Sequence, residues 1–323
     1  MKTIYRFRPS FIYLLCVLWI ILLAAGCKQS TPKTSAANST RAELAERPRV
    51  SFKKVHGIAY TEVRREYSNR LGFSNDGYHL EPEWRVTFLS DDTVRIFSLV
   101  LQRFIKQEVV LDHDSVVNVA HSWLRVKHLS RDSMIFQVLY VRNLHIDEAS
   151  NITMKLYSND YIKNVLRTTP AELQKPPRRD TLFIQKKVKE SVANINKAFA
   201  AYEPVVLQSL SPNVQVKKKE VKKANAIEDV TLADNYLSPT FDITIHKAYA
   251  NFNQKMQLIA DEKGKLHFVK PLSFIYDEVE QRKKVMKGIV DGYLTVYLKT
   301  TPGKTLGMPH ASRILVNVTG IQD

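Results

Sequence analysis

Between residues 50 and 166, apolar and polar side chains alternate with a period of two, as in strands that are wet on one face. In Glu83-Trp84-Arg85-Val86-Thr87-Phe88-Leu89, Trp84, Val86 and Phe88 share a face, and in Thr93-Val94-Arg95-Ile96-Phe97 so do Val94 and Ile96. Ser90-Asp91-Asp92 between them is turn chemistry, which predicts an antiparallel pair. Val109–Leu111, Ser122–Val126, Met134–Val141 and Ile152–Tyr157 continue the pattern. Asp112-His113-Asp114-Ser115, Ser130-Arg131-Asp132-Ser133 and Asp147–Asn151 supply the breaks. Short strands at this spacing predict a meander over 50–170 that curls into a small barrel or a sandwich.

After Thr240 the pattern mixes both periods. Gln254–Ala260 and Lys265–Lys270 read as strands around the hairpin loop Asp261-Glu262-Lys263-Gly264. Met256, Leu258 and Ala260 share one face, as do Leu266 and Phe268. Helical spacing then gathers Met286, Ile289, Val290, Tyr293, Val296 and Tyr297 into one stripe and predicts a helix over 277–299. Asp277, Glu278 and Glu280 at its start and Lys299 at its end match the helix dipole. Gly288 and Gly292 cost about 1 kcal/mol each in a helix interior, so they predict a close approach to a sheet or, failing that, a bend. Thr301-Pro302-Gly303 stops the helix, and Arg313–Thr319 reads as a closing strand with Ile314, Val316 and Val318 on one face. The fold class expected is α+β, an all-β meander followed by a hairpin–helix–strand unit over 240–323.

Residues 171–239 read as a basic connector. Lys175-Pro176-Pro177-Arg178-Arg179 is expected to be non-helical, because proline lacks a donor and restricts the residue before it. One helix is expected within Thr181–Tyr202, carried by Val188, Val192, Ile195 and Phe199, and the run Lys217-Lys218-Lys219-Glu220-Val221-Lys222-Lys223 reads as exposed. The chain carries a formal net charge of +16, and Ala171–Ala224 alone holds 12 Lys or Arg against 5 Asp or Glu. Such a surplus suits nucleic acid, anionic headgroups, acidic glycans or an acidic protein.

The first residues narrow that choice. Lys2, Arg6 and Arg8 precede an apolar run from Phe11 to Ala25, and Ala24-Ala25-Gly26-Cys27 follows. A basic head, a short apolar core and small residues make a secretory signal, and the run is shorter than the roughly 20 residues a spanning helix needs. Its end resembles the lipobox of bacterial lipoproteins, although Ala24 stands where Leu is more usual. The resemblance implies a signal peptide over 1–26, diacylation of the Cys27 thiol, and a tether over 27–49 rich in Ser, Thr, Ala and Lys. Several acyl chains give durable anchoring where one gives marginal binding. Lys28, in place of Asp, implies the outer membrane by the sorting rule of that family, and the absence of an acidic run after Cys27 favours the periplasmic side. An exported protein of this kind meets no nucleic acid, so an anionic lipid or glycan surface, or an envelope protein, is the expected partner. Cys16 would leave with the signal, and the mature chain would have no free thiol.

The C-terminal order of hairpin, long helix, Pro-Gly loop and last strand, from about Asn253 to Gly320, resembles the C-terminal domain of TonB-type proteins. Pro302, Gly303, Gly307 and Pro309 stand where that family carries its loop prolines and glycines, but Thr300 and Thr301 replace the aromatic residue that often precedes the first proline. The likeness implies a partner-binding module with an open sheet edge near the last strand, for which Pro302, Gly303, Gly307, Pro309 and His310 are the candidate contact residues. A plain surface position is the simpler expectation for His310. In texture the β-rich part is similar to the lipocalin-like domains of envelope lipoproteins.

Catalytic signatures fail. Gly303-Lys304-Thr305 lacks the earlier glycine of a phosphate loop and lies in helix–loop–strand order. There is no Gly-x-Ser-x-Gly motif. Asp112, His113 and Asp114, with His121 and His128, lack the short spacing of a zinc motif. The expectation is a lipid-anchored envelope protein that binds or scaffolds, with no cofactor, no metal and no turnover. The alternatives are a barrel that holds a small apolar ligand in a lined cavity, or an enzyme acting on glycan or lipid through Asp112, His113 and His128.

Overall fold

The computed structural model describes residues 50–142, 145–220, 233–272 and 279–322. Cys27, the lipobox and the tether lie outside the described residues, as do Asp277, Glu278 and the stretch from Val221 to Lys223. Residues Arg49–Asp323 form one compact unit.

Strands make up 45% of the protein and helix 22%, so the sheet dominates an α+β fold. Eight antiparallel strands form a closed up-and-down barrel. They are β1 (Ala59–Tyr67), β2 (Arg85–Phe88), β3 (Thr93–Ser98), β4 (Arg103–Leu111), β5 (Val116–Val119), β6 (Ser122–Leu129), β7 (Ser133–Arg142) and β8 (His145–Ser158). β8 closes the barrel on β1, with Tyr60 opposite Ser158 and Tyr67 opposite Ile152. The break expected at Asp147–Asn151 is absent, because β8 continues through it as the partner of β7, with Asp147 opposite Tyr140.

Alternation places Val86, Phe88, Val94, Leu124, Met134, Phe136, Met154 and Leu156 together in the barrel core, all fully or almost fully buried. Phe52 stacks on Phe88 with ring centroids 3.9 Å apart and joins the same core with Val55. These side chains make one continuous apolar core inside the barrel.

Two helices follow, α1 (Pro170–Gln174) and α2 (Arg178–Ala193). Arg178 and Arg179, expected outside any helix, are the first residues of α2. The two prolines do not prevent this, since Pro177 is the N-cap, ahead of the first position that needs a donor. Strands β9 (Val206–Ser209), β10 (Val214–Lys218), β11 (Thr240–His246), β12 (Phe252–Ala260) and β13 (Leu266–Pro271) come next. After them come α3 (Val279–Ile289), β14 (Leu298–Thr301), a small hairpin of β15 (Lys304–Thr305) and β16 (Met308–Pro309), and β17 (Ser312–Ile321). A five-stranded sheet runs in the order β10-β11-β17-β12-β13, and β14 pairs with β9. Met256, Leu258, Ala260, Ile314, Val316 and Val318 are fully buried in it, against Met286, Ile289 and Val290.

The helix departs from expectation in its last turns. A π turn over Val290–Leu294 inserts one residue's worth of extra rotation, so the buried stripe passes to Leu294 and Leu298. Val296 and Tyr297 are therefore exposed, at 57% and 38%. The helix stops at Tyr297, and Lys299 belongs to β14. Gly288 and Gly292 do not mark a close approach, since a Cβ on either would meet nothing within 4 Å. Gly292 lies within the π turn.

The last strand is not a sheet edge. β11 runs parallel to β17, with Phe241 opposite Val316 and Ile243 opposite Val318, and β12 covers the other side. The open edge that the TonB likeness implied beside this strand is filled by the chain itself.

Candidate functional site

A basic groove of about 660 Å³ lies on the outer wall of the barrel. Its floor is made where β7, β8 and β1 lie side by side. Because Met134, Phe136, Met154 and Leu156 point inward, Ile135, Thr153 and Lys155 point outward, and Arg64 and Glu66 line the same groove from β1. Pro177, Arg178 and Arg179 form the wall at the start of α2, and Arg70 completes the rim.

One ion pair fixes this geometry. Arg64 donates through both terminal nitrogens to the Asp180 carboxylate, at 2.7 and 3.1 Å, and through Nε to Glu66 at 3.0 Å. Asp180 is fully buried in the first turn of α2 and also accepts from the Gly72 amide at 3.1 Å. Burial works against the charge on Arg64, but the bonds to Asp180 and Glu66 outweigh it and hold the guanidinium firmly ionised.

The other cations are uncompensated. Among the described residues, no carboxylate stands within ion-pairing distance of Arg70, Lys155, Arg178 or Arg179. Lys155 sits directly opposite Arg64 across the β1–β8 ladder, a like-charge pairing that costs stability. Arg178 and Arg179 occupy the positive end of the α2 dipole, where cations are disfavoured. Two local rules are broken at one place. Such conflicts are expected where a surface is kept for binding, and an anion placed here would meet four cations and a helix N-terminus together.

Comparison with known proteins returned no matching family model, no matching curated relative and no matching solved structure. The groove's chemistry therefore carries the functional reading.

The loop nominated from sequence is mostly turned inward. Leu306 and Gly307 have φ of 52° and 74° and make the tight turn between β15 and β16. Leu306 and Met308 pack against Phe73, Ile184 and Phe199, so the loop is docked on α2 and the segment after β1. Gly303 is buried: a Cβ there would lie 2.5 Å from the Ala201 Cβ and 2.8 Å from the Ser312 Oγ. His310 is neither a contact residue for a partner nor a surface residue, being fully buried. Its Nδ1 lies 3.1 Å from the Ala311 carbonyl, which only accepts, so Nδ1 carries the proton and Nε2 accepts from the Thr305 hydroxyl at 2.9 Å. Pro302 is half-buried, and Gly307 and Pro309 are exposed.

Asp112 and His113 sit together in the β4–β5 turn, 2.7 Å apart and exposed, while His128 lies on β6. Among the described residues no group of three or more His, Cys, Asp or Glu side chains is placed to hold a metal ion. Sequence reasoning flagged the basic surplus of 171–224 but missed Arg64, Arg70 and Lys155. Arg64 and Arg70 lie far from it in sequence, and they join it with Lys155 only when the barrel closes.

Proposed function

We propose that this is a lipid-anchored protein of the outer membrane, facing the periplasm, that binds an acidic segment of another envelope protein without turnover. Anchoring rests on the lipobox-like sequence ending at Cys27. Binding rests on one observation above all, the four uncompensated cations around the groove at the start of α2. An extended acidic peptide fits its charge and shape better than a flat surface does, because the groove is walled on one side by Pro177–Arg179.

Two measurements test the proposal. A hexaglutamate peptide should bind the full chain with an affinity that falls as salt rises, and Arg178→Glu with Arg179→Glu should remove that binding. Crosslinking in cells from position 179 should capture an envelope protein with an acidic stretch, while membrane pelleting stays intact. Binding that survives both substitutions would sink the groove. Separately, Cys27→Ser should release the protein from membranes and abolish palmitate labelling, and retention with no labelled parent would sink the anchor.

A second reading keeps the TonB-like module as the contact surface. Its support is β13, which pairs only with β12 among the described residues and leaves Val269 exposed at 41%. Strand addition there would be blocked by Val269→Pro, and the groove substitutions would leave it unchanged.

A further inference from the structure

We infer that the turn between β3 and β4 dips into the headgroup layer of an anionic membrane, as a contact independent of any lipid on Cys27. The described turns β2–β3, β5–β6 and β6–β7 carry Asp91 and Asp92, His121, and Arg131 and Asp132. This one carries Leu99, Val100 and Leu101 in succession, exposed at 38%, 57% and 53%. Its polar needs are met from the flanks: the Ser98 hydroxyl accepts from the Leu101 amide at 3.1 Å, and the Gln102 amide donates to the Leu99 carbonyl at 2.6 Å. No charged side chain stands at positions 99–101. A run of exposed apolar residues at a hairpin tip is costly in water and marks an interaction surface.

Behind the apex stands an aromatic pair, then cations. Phe97 and Phe104 face each other across the two strands with ring centroids 5.2 Å apart. The Arg85 guanidinium lies 3.5 Å from the centre of the Phe97 ring, and Arg95 lies 5.5 Å from that of Phe104. Arg95 is opposite Lys106, and Arg103 adjoins the apex. Apolar tip, aromatic belt and long cationic side chains, in that order along a hairpin, match the layers of a membrane interface from acyl chains to phosphates. A protein partner would satisfy the apolar apex, but the band of cations that follows calls for a continuous anionic plane. Nor does the tether oppose this: the chain enters the compact unit at Val50, beside the β4–β5 turn at the other end of the barrel. The stretch 28–49 could span about 75 Å if fully extended, more than the roughly 30 Å length of β4.

The test uses the full chain with Cys16→Ser and Val100→Cys, labelled with an environment-sensitive nitrobenzoxadiazole probe. The vesicles contain phosphatidylcholine with or without phosphatidylglycerol and carry doxyl-labelled lipids. The label at position 100 should shift to the blue and be quenched on anionic vesicles, whereas one placed by Tyr249→Cys should not. Combining Arg95→Gln, Arg103→Gln and Lys106→Gln should lower the partition coefficient onto anionic vesicles by on the order of a hundredfold. Emission at position 100 that matches the control would overturn the inference. So would a blue shift that follows protein concentration without lipid, which would assign the tip to a second copy. If Cys27 is not acylated the chain takes up a second label, so failure of the anchor shows in the labelling ratio and not in insertion at position 100.

Discussion

The ring of His310 lies flat on that of Phe199, with centroids 3.7 Å apart and planes within 3°. Phe199 comes from the segment after α2 and His310 from the loop before β17, so the stack joins two parts of the chain that neither the helical nor the strand period connects. Burial drives the His310 pKa down to about 4, with the Ala311 carbonyl acting weakly the other way. The folded protein thus holds His310 neutral at pH values where the unfolded chain, with an ordinary value near 6.5, takes up a proton. Stability from this site is complete above pH 6.5 and is lost as pH falls towards 4, by roughly 3 kcal/mol in all. His79, also lowered by burial, adds a loss of the same sign. Urea midpoints measured between pH 7 and 4 should fall, and His310→Gln should flatten the slope. An unchanged slope would mean that His310 is solvated.

Gly303 is held by its neighbours. A methyl group there would overlap the Ala201 Cβ and press on the Ser312 hydroxyl, which has no hydrogen-bond partner among the described residues. Gly303→Ala is expected to cost about 1–3 kcal/mol, read as a lower denaturation midpoint. Ala201→Gly in the same chain should recover part of that loss, because it removes the shorter contact. Equal stability of the single and double variants would show that the strand gives way elsewhere.

What the sequence disclosed follows from how local each signal is. The alternation in 83–97 and the faces of Met256, Leu258 and Ala260 were legible, because burial on one face writes itself every second residue. β1 was hidden by its own charges. Glu62 is fully buried because it accepts from Arg65 at 2.8 Å and from the amides of Glu83 and Trp84 at 2.9 and 3.0 Å. Partners spread over some twenty positions leave no mark on periodicity. The parallel pairing of β11 with β17 is hidden for the same reason, although Phe241, Ile243 and Ile245 do alternate. The π turn shows only as a stripe that fails to continue. As for the groove, its arginines were visible as composition, but their assembly depends on Asp180 meeting Arg64 across 116 positions.

That meeting can be tested directly. Asp180 is fully buried and Arg64 largely so, and removing the carboxylate leaves a guanidinium with only Glu66 and a backbone carbonyl for company. Asp180→Ala is expected to cost about 3–5 kcal/mol, whereas Arg64→Met combined with Asp180→Leu should cost much less, since no buried charge is then unpaired. Thermal or urea unfolding of the two variants decides it. Equal losses for the single and double variants would make the pair unimportant.

Arg178 and Arg179 separate stability from binding. They occupy the first turn of α2, are exposed and have no acidic partner among the described residues, so the helix dipole opposes both. Replacing each with Glu should therefore stabilise the protein by about 0.3–1 kcal/mol at low salt, and the gain should shrink as salt rises. The same two substitutions should abolish hexaglutamate binding. A gain in stability joined to a loss of binding is the pattern expected of residues retained for a ligand and not for the fold. If stability falls instead, the arginines are anchoring α2 through contacts other than charge, and the case for an anionic occupant of the groove weakens with them.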